Sequence, residues 1–335
     1  MSASAQKTIP VVPDPVRVAS IDVGGTKIAG AIVEYAYALD GETAQMLPPV
    51  VCETRSCPTL PLRGGDAVLA DIVQIARELV LAAGGQVDGI GVACAGVVDP
   101  KTGSIRYASD IMPGWTGQPV RKRLEDEFGL PVAVLGDVQA HALGEARWGT
   151  AKGSHSCLCV GIGTGLGGAY VLDGQVLKGF RGAAGHIGHT LHPAAAGLKC
   201  ACGSPAHVET VTSGVAISAM YQGRAFSDEL DPDRMGDYVS AQADQGELEA
   251  IAVLEAAGRA LGEAIGSWCN LFDPELVVLS GTVTQAGAFW RRALDEGFKS
   301  QVMAPLADTP ILYAALGGQA PLVGAAANLL DALRG

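Results

Sequence analysis

Two stretches of this chain, about 140 residues apart, carry one pattern: an apolar run, a glycine turn and a second apolar run. The first occupies residues 16–36 and the second residues 156–171. Each predicts a tight hairpin whose turn lacks Cβ atoms, so that backbone amides can approach a bound group. One copy at the start of each half points to a duplicated architecture. The length of 335 residues fits it, at about 150 residues per domain. Between the copies, apolar period predicts helices over 66–83, 119–128 and 138–148 and short strands over 90–95 and 132–135. After the second copy, helices dominate residues 215–272. A strand at 276–279, a helix at 287–299, a strand at 311–314 and an Ala/Leu helix at 320–333 follow. Strands interleaved with helices predict an α/β class. The expected organisation is a tail (1–16), an N-terminal α/β domain (17–140), a C-terminal α/β domain (141–317) and a last helix (318–335) packing back on the first domain.

Composition narrows the function classes. Hydrophobic residues make up 48%, enough for a sizeable core and too many for a disordered chain. The formal net charge of −12 disfavours nucleic acid as a partner. No run of eighteen apolar residues is present, so no membrane-spanning helix is expected. Residues 1–15 are polar, without the apolar stretch of a signal peptide, so the expected location is cytoplasmic, with reduced thiols. Of the 8 Cys, most lie in apolar stretches as small hydrophobes. Cys200 and Cys202 instead sit in a polar, Gly-rich context flanked by His. The 45 Gly exceed the usual share of about 7%, and no collagen-like period accounts for them. Loops that bring backbone close to a ligand are the expected reason.

The first loop is Asp22-Val23-Gly24-Gly25-Thr26-Lys27. Gly24 and Gly25 open amides to an anion, Thr26 adds a hydroxyl, Lys27 a charge, and Asp22 can hold a hydrated Mg²⁺. Taken alone, it reads first as a plain hairpin turn with a surface Lys. The second loop, 161–168, contains Gly163, Thr164 and Gly165 and a G-x-G-x-x-G match. A strand follows it, where a dinucleotide site needs a helix, and no Walker A pattern exists. Two hairpin loops suit the phosphates of one nucleotide, and Gly281 after a later strand suits its nucleoside. Asp137, between a strand and a helix, is either an N-cap or a base for a substrate hydroxyl. His189, Cys200, Cys202 and His207 form a Cys₂His₂ set fitting tetrahedral Zn²⁺ in a closed, structural site. The alternatives are incidental thiols in an apo loop, with His192 either a competing ligand or a surface residue.

Together the loops and the cluster resemble the ROK family of sugar kinases and repressors. The resemblance runs from about Val18 to Leu330 and includes Gly185-His186-Ile187-Gly188-His189 and Cys200-x-Cys202-Gly203-x-x-x-His207-x-Glu209. It implies a two-domain actin-like ATPase (ribonuclease H-like) fold with the active-site cleft between domains. It also implies ATP with Mg²⁺, a structural Zn²⁺, and Asp137 as the base. His189 and Glu209 match sugar-binding positions. The family's repressors carry an N-terminal DNA-binding domain. Only about 15 residues precede the first expected strand here, so no nucleic-acid role is expected.

The run Leu135-Gly136-Asp137-Val138-Gln139-Ala140 departs from the family's E-N-D-x-N-A, placing Gly136 where Asn contacts the sugar. His186 replaces a sugar-binding Glu, and His207 replaces a zinc-binding Cys. Asp110 is either a replacement substrate contact or a solvated loop residue. Changed hydroxyl contacts change the substrate. The resemblance therefore implies a kinase for the primary hydroxyl of a hexose, a modified hexose or a C7-cyclitol. The competing reading is a sugar sensor without turnover. A homodimer or homotetramer is expected from the family, and no membrane partner.

Overall fold

The computed structural model describes residues 15–40, 43–108, 112–226, 228–231 and 235–334. The chain divides into two compact units, Met1–His141 with Pro321–Gly335, and Ala142–Ala320. In the first, β1 (Val16–Val23) and β2 (Lys27–Tyr35) form the expected hairpin. A small hairpin, β3 (Tyr37–Asp40) and β4 (Thr43–Met46), precedes β5 (Val50–Pro58). Next come α1 (Gly65–Ala82), β6 (Gly89–Cys94), the short pair β7 (Val97–Val98) and β8 (Ile105–Tyr107), α2 (Val120–Phe128), β9 (Val132–Gly136) and α3 (Asp137–Trp148). The main sheet has the order β5-β2-β1-β6-β9, with β1 antiparallel to β2 and parallel to β6.

The second unit repeats this plan. Its strands β10 (Ser156–Ile162), β11 (Leu166–Leu172) and β12 (Gln175–Val176) are followed by helices α4 (Glu209–Thr212), α5 (Gly214–Tyr221), α6 (Asp237–Asp244) and α7 (Leu248–Phe272). Then come β13 (Leu276–Ser280), α8 (Ala288–Gln301), β14 (Ile311–Tyr313) and α9 (Ala320–Arg334), which runs into the first unit. The sheet order is β12-β11-β10-β13-β14, with β10 antiparallel to β11 and parallel to β13. Both sheets thus share one order and one set of strand senses, the duplicated ribonuclease H-like topology that the two glycine turns foreshadow.

Apolar faces explain the packing within each unit. In α1, Val68, Ile72, Ala76 and Leu79 are fully buried at helical spacing. Gly30 lets this helix approach β2, since a Cβ there would lie 2.6 Å from Ile75 Cγ2. Helix α9 is buried over residues 320–330 and packs on the first sheet through Ser20 Oγ, which donates to the Leu322 carbonyl at 2.6 Å, and Tyr35 OH, which donates to the Val323 carbonyl at 2.9 Å. No helix among the described residues is long and apolar enough to cross a membrane.

Part of the glycine excess lies here and not in ligand loops. On α7, Gly258 and Gly262 face α8 so closely that a Cβ would lie 2.3 Å from the Trp290 carbonyl oxygen and 2.0 Å from that of Leu294. Contact is with rigid backbone, so the helices must separate to admit a methyl group. Gly262→Ala is therefore expected to lower stability by about 1–3 kcal/mol, read as a lower midpoint in urea unfolding. An unchanged midpoint would show that the helix pair yields freely.

Candidate active site

In the first unit, chemistry gathers at the C-terminal ends of three neighbouring parallel strands. Asp22 is the penultimate residue of β1 and pairs with Ala93 of β6. Asp137 directly follows β9, whose last residue, Gly136, pairs with Cys94 of β6. The two carboxylates thus flank β6, on backbones about 10 Å apart for two strand spacings. Burial, then the charge of Asp137, pushes Asp22 up to about 7, against the opposing pull of Lys27. Asp137 is raised to about 6 by burial, although the Val138 amide donates to its Oδ1 at 2.8 Å. A pair of desolvated carboxylates, one of which (Asp137) raises the proton affinity of the other (Asp22), suits a divalent cation, which relieves both costs.

The β1–β2 turn is held from behind. Gly24 N donates to Lys27 O at 3.0 Å. Thr59, fully buried after β5, donates its hydroxyl to the Gly24 carbonyl at 2.7 Å and its amide to the Thr26 carbonyl at 3.0 Å. With these two carbonyls pinned, Gly25, Thr26 and Lys27 remain exposed. Thr59 escaped sequence reasoning, because only the pairing of β5 on β2 brings it to a turn 35 residues away.

Gly136 has no left-handed backbone to require glycine. A Cβ there would lie 3.2 Å from Gln139 Oε1, to which Gly136 N donates at 3.3 Å. The Gln139 carboxamide therefore crowds the space a side chain at 136 would need. Asp110 lies outside the described residues.

In the second unit the loop 163–165 sits at the C-terminal end of β10. Gly163 N donates to Gly165 O at 3.0 Å, and Thr164 is exposed. Gly281, just past β13, has φ +94, and a Cβ on it would lie 2.2 Å from Ile162 O. Only glycine admits so close an approach of two parallel strand ends. Loop and Gly281 thus share one sheet edge, where ligands bind in open α/β folds.

The segment 185–189 lies against β11. A Cβ on Gly188 would be 2.1 Å from Leu166 O, and Gly168 N donates to Gly185 O at 2.8 Å. His186 Nδ1 is 3.1 Å from Ala183 O, and its ring stacks on His189 with centroids 6.2 Å apart. Desolvation, with the neighbouring His189, holds His186 below the usual imidazole range.

His189, Cys200, Cys202 and His207 converge, their ligand atoms all within 4.8 Å of one another. Cys200 Sγ is 3.7 Å from His189 Nδ1, Cys202 Sγ is 3.2 Å from His207 Nδ1, and the two Nδ1 atoms are 3.3 Å apart. A tetrahedron with Zn–S of about 2.3 Å and Zn–N of about 2.05 Å has edges of about 3.3–3.8 Å. The donor set therefore fits that ion in size and chemistry. Burial pushes the Cys200 thiol up to about 12, a cost that a bound cation offsets. His192 is neither a fifth ligand nor a surface residue. It is buried, its Nε2 lies 3.3 Å from Glu263 Oε2, and its Nδ1 accepts from Ala194 N at 3.2 Å.

Known proteins share this framework. The profile described as "ROK family" matches residues 18–332. A glucokinase of Halalkalibacterium halodurans is 30% identical over 91% of this chain and 92% of its own length. The crystal structure of a ROK hexokinase from Thermus thermophilus superposes with a TM-score of 0.75 at 30% identity, covering 96% of this chain and 100% of that one. A ROK family glucokinase from Streptomyces griseus, solved in complex with glucose and AMPPNP, gives 0.73 at 27% identity, over 93% of this chain and 98% of its own.

Proposed function

The chain belongs to the ROK family, and from that premise we propose that it is an ATP-dependent kinase acting on a primary hydroxyl of a hexose-like substrate. The observation that carries the reading is the carboxylate pair, Asp22 and Asp137, at the ends of β1 and β9 beside a turn with exposed amides. The glucokinase similarity and the glucose and AMPPNP bound to the Streptomyces griseus relative support it.

Phosphoryl transfer asks little covalent chemistry of the protein and much positioning and charge stabilisation. Asp137 accepts the proton of the attacking hydroxyl, and a value near 6 leaves it ionised at neutral pH yet basic enough to act. Asp22 holds the Mg²⁺, which supplies neutralisation of phosphate charge. The Gly25 amide, Thr26 and Lys27 in one unit, and Thr164 and Gly165 in the other, bind phosphate oxygens; the Gly24 and Gly163 amides, expected from the sequence to do so, instead close their own turns on Lys27 O and Gly165 O. Gly281 leaves room for the nucleoside. His189 and Glu209 face the sugar, and structural Zn²⁺ on His189, Cys200, Cys202 and His207 holds that segment in shape. Gly136, with Gln139 beside it, and His186 set which hydroxyl pattern is accepted. A modified hexose or a C7-cyclitol is the substrate these two positions favour, because a site that hydrogen-bonds particular hydroxyls rejects analogues strongly.

ADP release measured over a panel of hexoses, hexosamines and cyclitols tests both levels. At least one member is expected to stimulate release well above the substrate-free rate, with a modified hexose or cyclitol above glucose. Glucose as the best substrate would overturn the specificity reading. No stimulation by any member would favour a sugar sensor over a kinase.

A further inference from the structure

Beyond its internal bond from Gly163 N to Gly165 O, the loop 163–165 is backed by three groups from the segment 185–214. Gly188 backs the start of β11 so closely that a Cβ would lie 2.1 Å from Leu166 O. Gly214, the first residue of α5, donates its amide to the Gly163 carbonyl at 2.8 Å. Glu209, the first residue of α4, accepts from the Leu166 amide at 2.8 Å through Oε2. The same carboxyl oxygen would lie 2.7 Å from a Cβ on Gly165, so it fits closely under the turn. Its other oxygen, Oε1, lies 3.7 Å from Cys200 Sγ. One carboxylate thus sits between the Cys/His cluster and the loop, and bonds the amide that follows the loop.

We infer that Glu209 is a positioning residue for the second phosphate loop, setting nucleotide affinity through its acceptance of the Leu166 amide. This role is separate from the sugar contact and rests on the kinase reading only in taking residues 163–165 as a nucleotide loop. A charged acceptor fixes an amide more firmly than water does, and a loop ordered before binding loses less freedom when phosphate arrives. A negative charge set directly beneath a phosphate loop would otherwise repel its ligand, so the carboxylate is tolerated there for the geometry it imposes.

The test is binding of AMPPNP with Mg²⁺ by calorimetry, with no sugar present, to the full chain and to Glu209→Ala and Glu209→Gln. Hydrogen exchange of peptides spanning 163–168 accompanies it. Glu209→Ala is expected to weaken AMPPNP about tenfold, as for a lost hydrogen bond to a charged group, and to speed exchange at Leu166. Glu209→Gln keeps a carbonyl acceptor and is expected to retain most of the affinity and the protection. AMPPNP binding to Glu209→Ala as tightly as to the parent would overturn the role. So would equal loss in both variants, since charge and not the acceptor would then matter. A parent chain that binds no AMPPNP would overturn the kinase reading itself, a different result.

Discussion

Asp137→Asn is expected to lower turnover about 10³-fold or more while substrate affinity stays within a few-fold of the parent. Asparagine keeps the size of the side chain and an acceptor for the Val138 amide, but it cannot take a proton. The loss should therefore fall on kcat and not on KM. The parent's pH profile should carry the same signature. Asp137 titrates at about 6, so kcat/KM should rise about tenfold per pH unit below that value and level off above it. Asp22, pushed up to about 7 partly by Asp137, shares in this titration, and Mg²⁺ at Asp22 shifts its share downward.

Stability should move the other way. The folded chain holds the Asp137 proton more tightly than the unfolded chain, whose value is 3.8. That contribution is complete below about 4 and is lost as pH rises through about 6. A neutral Asn escapes this loss, so the variant should melt higher at pH 8, by up to about 3 kcal/mol in stability. Melting curves and steady-state rates on the same samples check both halves. Near-normal turnover in a variant that melts no lower than the parent would remove Asp137 from the reaction.

What the sequence discloses about this fold depends on range. The two glycine turns are legible because a tight hairpin needs small residues between apolar runs, a local rule. Their placement at corresponding edges of two sheets with one strand order then follows from topology. Helix α1 is legible because its buried residues repeat at helical spacing. The Cys/His set is legible because all four residues fall in one short polar segment. Thr59 is not legible, because it reaches the first turn only through the pairing of β5 on β2. Nor is the hold of Glu209 on Leu166, 43 residues away. The pairs β3–β4 and β7–β8 are too short to show a period of two. The glycine excess misleads in part, since Gly258, Gly262 and Gly297 serve helix contact and not ligand approach. Periodicity shows which face of a helix is buried, but not how close its partner lies.

Cys200→Ser is expected to abolish stoichiometric zinc and to destabilise the second unit by several kcal/mol, a large share of a domain's net stability. Serine leaves three donors and a hydroxyl that does not ionise near neutral pH, so the closed tetrahedron loses a thiolate. The consequence should spread beyond the cluster, because the segment it closes supplies Gly188 and Glu209 to the loop 163–165 and leads into α5, where Gly214 caps the same loop. Chelation of the parent should therefore lower its melting temperature and weaken AMPPNP together, and added Zn²⁺ should restore both. His192→Ala serves as the control. Its ring nitrogens are engaged by Glu263 and Ala194 and not by the cluster, so this variant should keep one zinc per chain. Metal analysis of the purified chains decides the ligand set. Unchanged zinc in Cys200→Ser, or its loss in a well-folded His192→Ala, would assign the ion to other donors. Zinc lost in Cys200→Ser with melting and AMPPNP affinity both intact would show that the cluster holds an ion without bracing the loop.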